Sequence, residues 1–491
     1  MSYIQSFKGQ QWLLPPSLED LIPEDHVCFV VEDFLEEIDL SSFDQHYAGA
    51  GHPAYHPRII LKLIIMGVLD RIRSSRAVAR NARENVVYIY LAEKLAPDFR
   101  TISDFRKANA QLIKDCFKHT VTIAKQEGML DLSHLTTDGT KIKANAANRS
   151  VFTKEEVCFL KEFIDQELDE WAKKDSFEDS QFGNLRGSDQ LPERSKKKIK
   201  KAVKEYIKKI REDPLFKKEI RSKFEKAKQE IEQNKLEKVS LTDPESRYML
   251  NKKGKIEFSY NPQITVDKKG FIIASDLSQN PDDHSQLQSQ VIQTEENVKE
   301  IYKDTHWTFD NGYYSCNNIL FLEEKGIDAY IPDQELALKN KKKQRETYLS
   351  TLEYDPKRDV FITKEGKEFT FLYNSVERKR NRIQKVYGLR EDNKIIKEIK
   401  VSQHHEETER MKLKMRTEEG KEIYKIRAQT VEPVMGDIKE NRGLRVFLTR
   451  SLETAKTEFN LGALAHNLRK IAKSKQLREL RIPHLLFLRD I

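Results

Sequence analysis

The stretch Ile256-Glu-Phe-Ser-Tyr-Asn-Pro-Gln-Ile-Thr-Val-Asp267-Lys268-Lys269-Gly270-Phe271-Ile-Ile-Ala-Ser-Asp-Leu277 changes the period of the chain from helical to two. Apolar and β-branched residues alternate or run together on either side of Asp267-Lys268-Lys269-Gly270, which has the composition of a hairpin turn, so 256–266 and 271–277 read as paired antiparallel strands. Working outward, 134–137 reads as a strand ending at Asp138. Residues 305–309 form a third strand candidate, leading through Asp310-Asn311-Gly312 into a helix over 316–325 and a strand over 327–331. Strands punctuated by helices, with one antiparallel hairpin, describe a mixed α/β sheet.

The flanks are helical in period. Pro57 opens an apolar stretch over 58–72 in which Ile60, Leu61, Leu63, Ile64 and Val68 crowd one side and Lys62 lies opposite. Ser74 or Ser75 supplies a cap for a following helix toward Asn85, and a third helix is expected from Thr101, with Asp104 completing a capping box, to a stop at Gly128. Arg73, Arg76 and Arg80 read either as phosphate contacts of a DNA-docking helical module or as a solvated basic face. Between 151 and 238, Ile199, Val203, Tyr206 and Ile210, then Ile220, Phe224, Ala227 and Ile231, predict two antiparallel helices joined at Asp213-Pro214. The lysines of 196–201 fit a solvated face better than a DNA contact. The stretch 335–420 reads as polar and irregular with a few short strands, and 452–473 as a long terminal helix.

Composition narrows the function classes. The 491 residues carry 87 Lys plus Arg against 79 Asp plus Glu, a net charge of +8 that gives a mild push toward polyanionic partners. The apolar run 59–69 is broken by Lys62 and is too short to span a bilayer, and no basic-then-apolar signal opens the chain, so a cytoplasmic protein is expected. Cys28, Cys116, Cys158 and Cys316 lie far apart with no CxxC pair, which suggests reduced structural thiols.

Three carboxylates stand where elements should end: Asp138 and Asp310 at strand exits, and Glu432 in Thr-Val-Glu-Pro-Val-Met-Gly-Asp. Ligands gather at the strand ends of α/β sheets, and acidic groups brought together there repel one another unless a cation is present. Such a trio suits two Mg²⁺ ions and in-line phosphoryl displacement, although among 79 acidic residues some would end strands by chance. No HExxH, GxxxxGK[ST] or GxSxG pattern occurs, which disfavours ATP-driven and serine-hydrolase chemistry.

Taken together, Asp138-Gly-Thr-Lys-Ile-Lys-Ala-Asn-Ala, Tyr260-Asn-Pro-Gln-Ile-Thr-Val-Asp267, Asp310-Asn-Gly-Tyr-Tyr-Ser and Val431-Glu-Pro-Val-Met-Gly-Asp-Ile-Lys-Glu-Asn-Arg-Gly resemble a bacterial insertion-sequence transposase of the DDE class. The part from His56-Pro-Arg through Arg73-Ser-Ser-Arg to Arg100-Thr-Ile-Ser-Asp-Phe-Arg is similar to the InsH-type N-terminal domain of that group. The resemblance implies a helical DNA-binding domain over 1–130 and, over 131–491, a ribonuclease H-like α/β catalytic core interrupted by a helical hairpin at about 150–250 and a second insertion at about 333–420. It further implies Asp138, Asp310 and Glu432 as catalytic ligands of two Mg²⁺ ions, with Mn²⁺ able to substitute. Tyr424, Arg427, Glu432 and Lys439 fall on the family's tyrosine, arginine, glutamate, lysine signature, with Arg427 and Lys439 gripping phosphates. The implied partners are double-stranded DNA, as element end and target, and further copies of the chain in a synaptic complex at the nucleoid.

Two departures stand out. Arg427 lies five residues before Glu432 where the family has four, which swings it about 140° around a regular helix. A π-bulge near Pro433 would absorb the extra residue; otherwise Lys425 takes the contact, or Asp437 or Glu440 replaces Glu432. The cysteine cluster common in the insertion of relatives is missing from 331–420, so no zinc is expected there. The rival readings are a nuclease of the same fold that does not join DNA, and a DNA-binding regulator with structural carboxylates.

Overall fold

The computed structural model describes residues 16–41, 54–147, 150–166, 191–213, 215–251, 254–299, 304–333, 336, 352–355, 357–377, 382–391 and 394–479. Its centre is a seven-stranded sheet organised by the long strand β6, Ile256–Asp267. One end of β6 pairs antiparallel with β1 (His134–Gly139) and with β7 (Ile272–Ser278); the other pairs with β2 (Ile142–Lys143) and β5 (Arg247–Leu250). On its other side β1 runs parallel to β8 (His306–Phe309), and β8 parallel to β9 (Asp328–Tyr330). The hairpin expected around Asp267-Lys268-Lys269-Gly270 is present. Asp267 closes it: one carboxylate oxygen accepts from Phe271 N at 2.7 Å and the other from Asp131 N at 2.7 Å, while Gly270 takes φ +81°, where a side chain would be strained.

Helices cover the sheet. Upstream lie α1 (Val27–Glu36), α2 (Pro57–Leu69), α3 (Ser75–Glu84), α4 (Val86–Leu91), α5 (Phe99–Ala108) and α6 (Ala110–Gln126), which ends at Gly128 with φ +60°. Downstream of the first strands come α7 (Lys154–Gln166), α8 (Glu193–Glu212), α9 (Phe216–Asn234), α10 (Leu287–Val298) after β7, α11 (Cys316–Glu324) before β9, and then α12 (His405–Arg416), α13 (Glu418–Gly436) and α14 (Leu452–Glu479). One hydrophobic core runs without a break from Cys28 and Ile60 through Trp307 and Phe309 to Leu464, so the chain on either side of residue 130 shares a single interior. Ion pairing reinforces this: Arg73 Nη1 meets Glu458 Oε1 of α14 at 2.8 Å, and Arg442 Nη1 donates to Leu69 O at 3.0 Å. The exposed backbone of edge strand β7 is satisfied by Asn467 of α14, whose amide accepts from Ile272 N and donates to Ile272 O.

A second core unites α7, α8, α9 and the short pair β3 (Val151–Thr153) and β4 (Lys238–Ser240) around Phe152, Val203 and Phe224. The expected antiparallel helices are there, although Asp213 ends α8 rather than capping α9; its Oδ1 accepts from Leu215 N at 2.9 Å, and Pro214 lies outside the described residues. Within the lysine run, Lys198 pairs with buried Glu156 and Lys196 with Glu193.

Three expectations need correction. Lys62 does not face solvent: it is 3% exposed and its Nζ lies 2.8 Å from Glu32 Oε1, an ion pair that lets a lysine sit inside an otherwise apolar helix. The helix assigned to Thr101 starts at Phe99 under Asp98, whose Oδ1 accepts from Arg100 N and Thr101 N, and it breaks at Asn109. The stretch taken as irregular contains an ordered five-stranded antiparallel sheet, β10 (Glu353–Asp355), β11 (Val360–Ile362), β12 (Glu368–Glu377), β13 (Arg382–Glu391) and β14 (Lys394–Ser402), closed over Phe361, Phe369 and Tyr387. Its strands are polar because the core they cover is small. The basic patches expected at 341–345 and 378–382 lie outside the described residues, except that Arg382 opens β13. Among the described residues no helix is long and apolar enough to cross a membrane, and the four cysteines are free thiols.

Candidate active site at the strand ends

Parallel pairing of β1 with β8 carries both chains to the same edge of the sheet, so the residues that leave them, Asp138 and Asp310, emerge side by side. Along β1, Thr136 and Asp138 share a face by the strand's period of two, and α13 crosses that face. Thr430 Oγ1 hydrogen-bonds Thr136 Oγ1 at 2.9 Å, and Thr136 Oγ1 also meets Thr308 Oγ1 at 2.9 Å, which pins the helix across both strands. Three residues earlier on the same face, Arg427 is thereby delivered to the strand ends. Its Nη2 lies 3.0 Å from Asp138 Oδ1 and 3.8 Å from Asp310 Oδ2, so one guanidinium bridges both carboxylates.

Solvent access divides the pair. The Asp138 and Arg427 side chains are 9% and 12% exposed, whereas Asp310 is 47% exposed and opens the cluster to the outside. Burial alone would lower the Arg427 pKa, but the charges of Asp138 and Asp310 outweigh it and hold the group above the ordinary arginine value. Tyr424, one turn before Arg427, is pushed up to about 12, chiefly by burial. Lys439 completes the group by donating to Thr140 Oγ1 just beyond β1.

Glu432 occupies a different face. α13 is a regular α-helix through Gly436 with Pro433 inside it, so the five-residue step leaves Glu432 about 140° from Arg427, on the exposed side. A π-turn does exist, but it spans Asp437–Asn441, after Glu432, where Arg442 N donates to Asp437 O. The expected bulge is therefore displaced toward the C-terminus, and it serves Lys439 rather than Arg427. The alternatives weighed from sequence are occupied elsewhere: Lys425 is exposed and pairs with Glu422, Asp437 is held between Arg442 and His466 (2.7 Å), and Glu440 pairs with Arg445. Despite its burial, Asp437 is held far below the usual carboxylate range by hydrogen bonds from His466 and Asn441 and by the charges of His466 and Arg442.

The three N-terminal arginines part company. Arg73 is committed to Glu458 and to Val446 O at 3.0 Å. Arg76 lies over the Phe99 ring, 4.8 Å from its centroid, and Arg80 is 68% exposed beside Glu84. Around the cluster, Tyr313 is fully buried, Tyr314 donates to Thr408 O at 3.3 Å, and His466 bridges Asp437 and Gly270 O.

Sequence reasoning missed Asp283. It stands in Asn280-Pro-Asp-Asp, where the chain leaves β7 at the sheet edge shared by Asp138 and Asp310, and its Oδ1 accepts from Asn261 Nδ2 and Gln263 Nε2, both at 2.7 Å. It lies five residues past the end of β7, farther from its strand than Asp138 and Asp310 are from theirs, so the strand-exit rule did not reach it. Beside it, Asn261 Oδ1 is buried without a hydrogen-bond partner.

Two family models match the chain. The Transposase domain (DUF772) matches residues 16–108, from α1 through α5, and the Transposase DDE domain matches residues 366–472, which include Tyr424, Arg427, Glu432 and Lys439. No curated protein sequence matches. One transposase domain is thus matched near each end of the chain, and the two matches support an insertion-sequence DDE transposase.

Proposed function

We propose that this transposase binds the ends of its element, cuts them and joins the freed 3′ hydroxyl to target DNA at the Asp138–Asp310 cluster, within a ribonuclease H-like core interrupted by the α7–α9 and β10–β14 segments. The observation that carries this reading is the single Arg427 guanidinium shared by two strand-end carboxylates. Two acids meet there, and the site already balances them with positive charge.

The residues fit a divalent cation in donor chemistry. Two carboxylates converge on one positive group and a buried amide oxygen, that of Asn261, lacks a partner nearby, whereas no group of three His, Cys, Asp or Glu placed to hold a metal occurs among the described residues. Asp138 and Asp310 would hold the metal; Glu432 is the third acid by its place in the signature, although in this structure it lies on the exposed side of α13, away from the pair. A pair of Mg²⁺ ions bound there would activate the attacking water or 3′ hydroxyl and stabilise the leaving oxygen. Arg427 and Lys439 bind the flanking phosphates, the first through its fork and the second as a point charge, and Tyr424 walls the cleft. Arg76 and Arg80 contact the DNA backbone from the helical N-terminal part, while Arg73 ties that part to α14. Joining requires two element ends at once, so the reaction calls for at least two copies of the chain on DNA.

The test uses a labelled duplex taken from the DNA flanking the coding sequence, with Mg²⁺ or Mn²⁺. Wild type should yield nicked and strand-joined product; Asp138→Asn and Asp310→Asn should abolish both while leaving duplex binding intact. Undiminished cleavage in either variant overturns the assignment, and hydrolysis without joining in wild type favours a nuclease.

A further inference from the structure

We infer that Asp283 is a positioning residue that sets the spacing between Asp138 and Asp310; this rests on the active-site reading above. The carboxylate is wedged between the two chains that follow the acids. A methyl group added at Gly139 would stand 2.3 Å from Gln263 Nε2 and 2.7 Å from Asp283 Oδ1, and one added at Gly312 would stand 2.9 Å from Asp283 Oδ2. Gly139 directly follows Asp138, and Gly312 is two residues after Asp310. Neither glycine adopts a positive φ, so glycine serves close approach at both positions rather than backbone freedom.

The wedge is itself held from below. Gln263, which faces Gly139 in the β1–β6 register, and Asn261 each donate to Asp283 Oδ1 at 2.7 Å. Gln263 in turn accepts from the hydroxyl of Tyr313, which is wholly buried three residues after Asp310. Lys141 Nζ, three residues after Asp138, lies 3.5 Å from the same oxygen with its side chain 17% exposed. The two acid-bearing loops are thus tied to one carboxylate: the Asp138 loop through Lys141 and the packing of Gly139, the Asp310 loop through Tyr313 and the packing of Gly312. The role of Asp283 is to fix where the two acids stand, which matters because misplacement of reacting groups by about 1 Å costs on the order of 100-fold in rate.

Asp283→Asn keeps the shape and one accepting oxygen but gives up the charge facing Lys141. It should raise the Mn²⁺ concentration for half-saturation of the DNA-free protein, read by electron paramagnetic resonance, by about tenfold, and lower the cleavage rate about 100-fold at saturating DNA, with duplex Kd within twofold of wild type. Gly312→Ala should cost at least about tenfold in rate alone but less than about twofold when added to Asp283→Ala, because the methyl group then has room. Circular dichroism verifies that each variant is folded, and the Gly312 cycle decides the matter if Asp283→Asn unfolds. Asp283→Asn matching wild type in Mn²⁺ binding and rate, or additive losses in the cycle, overturns the inference. If Asp138→Ala also leaves Mn²⁺ binding unchanged, the active-site reading itself fails; if Asp138→Ala abolishes it and Asp283→Asn does not alter it, only the role of Asp283 falls.

Discussion

Replacing Arg427 with methionine should strengthen divalent-cation binding while destroying catalysis. In the DNA-free protein the guanidinium sits 3.0 Å from Asp138 with both side chains about nine-tenths buried, and 3.8 Å from the half-exposed Asp310. Breaking a buried pair by removing one partner costs about 3–5 kcal/mol, whereas a solvent-screened contact such as that to Asp310 adds only a few tenths. A cation entering between the acids must displace or share this resident positive charge. If about 2–3 kcal/mol of the attraction is lost in doing so, the wild-type affinity is held down by roughly 30- to 150-fold. Arg427→Met keeps the apolar stem that packs near Tyr424, removes the competitor and leaves the acids in need of a counter-ion. Titration with Mn²⁺ should therefore give a half-saturation point at least about tenfold lower than wild type, and thermal melting should show the variant destabilised without metal and rescued by it. Strand cleavage should nevertheless vanish, since a residue assigned to the phosphates flanking the cut is gone. Mn²⁺ affinity that is unchanged or weakened in Arg427→Met would refute the idea that the guanidinium stands in for a cation.

Other measurements probe the remaining assignments. Arg73→Met should destabilise the protein by about 2–4 kcal/mol in denaturant unfolding, because it removes the cation paired with Glu458, only 3% exposed, and leaves that carboxylate to the neutral donors of Leu448 and Thr449; duplex affinity should move less than twofold. Arg80→Ala should do the reverse, weakening DNA binding and reducing its salt slope by about 1 with stability within about 0.5 kcal/mol of wild type. Glu432→Gln should abolish cleavage at unchanged stability, while Asp437→Asn should destabilise by loosening Arg442 and His466; cleavage that survives Glu432→Gln removes Glu432 from the site. His134, 2% exposed, is pushed down to about 4 by burial, so the unfolded chain binds its proton first and stability is lost as pH falls from 6.5 toward 4. The contribution is roughly 3 kcal/mol, and the gap between wild type and His134→Gln in urea unfolding should narrow by about that amount between pH 7 and pH 4. A pH-independent gap removes His134 as the source.

Much of the sheet was legible because its signals are local. The β6–β7 hairpin announces itself through alternation around a Gly-containing turn, and β1, β8 and β9 each end within a few residues of where apolar character stops. The acids Asp138 and Asp310 were legible for the same reason, as the residues that leave strands. The five-stranded sheet of β10–β14 was not, since its strands cover a core of few residues and present polar groups on most of their length. Lys62 was misread because helical periodicity marks which side a residue occupies but not whether a partner such as Glu32 waits there.

Sequence alone settles which residue types stand at element ends and at what intervals, because those choices are made by backbone propensities and by side chains a few positions apart. It also sets the intervals among Tyr424, Arg427, Glu432 and Lys439 on which the proposed signature rests. Only tertiary structure decides that Arg427 closes over two aspartates, that the π-turn comes after Glu432 and turns Lys439 back to Thr140, and that Asp283 is lodged between Gly139 and Gly312. Each depends on the parallel pairing of β1 with β8 and on the angle at which α13 crosses them, and those are set by packing between segments nearly three hundred residues apart, where no local pattern can reach.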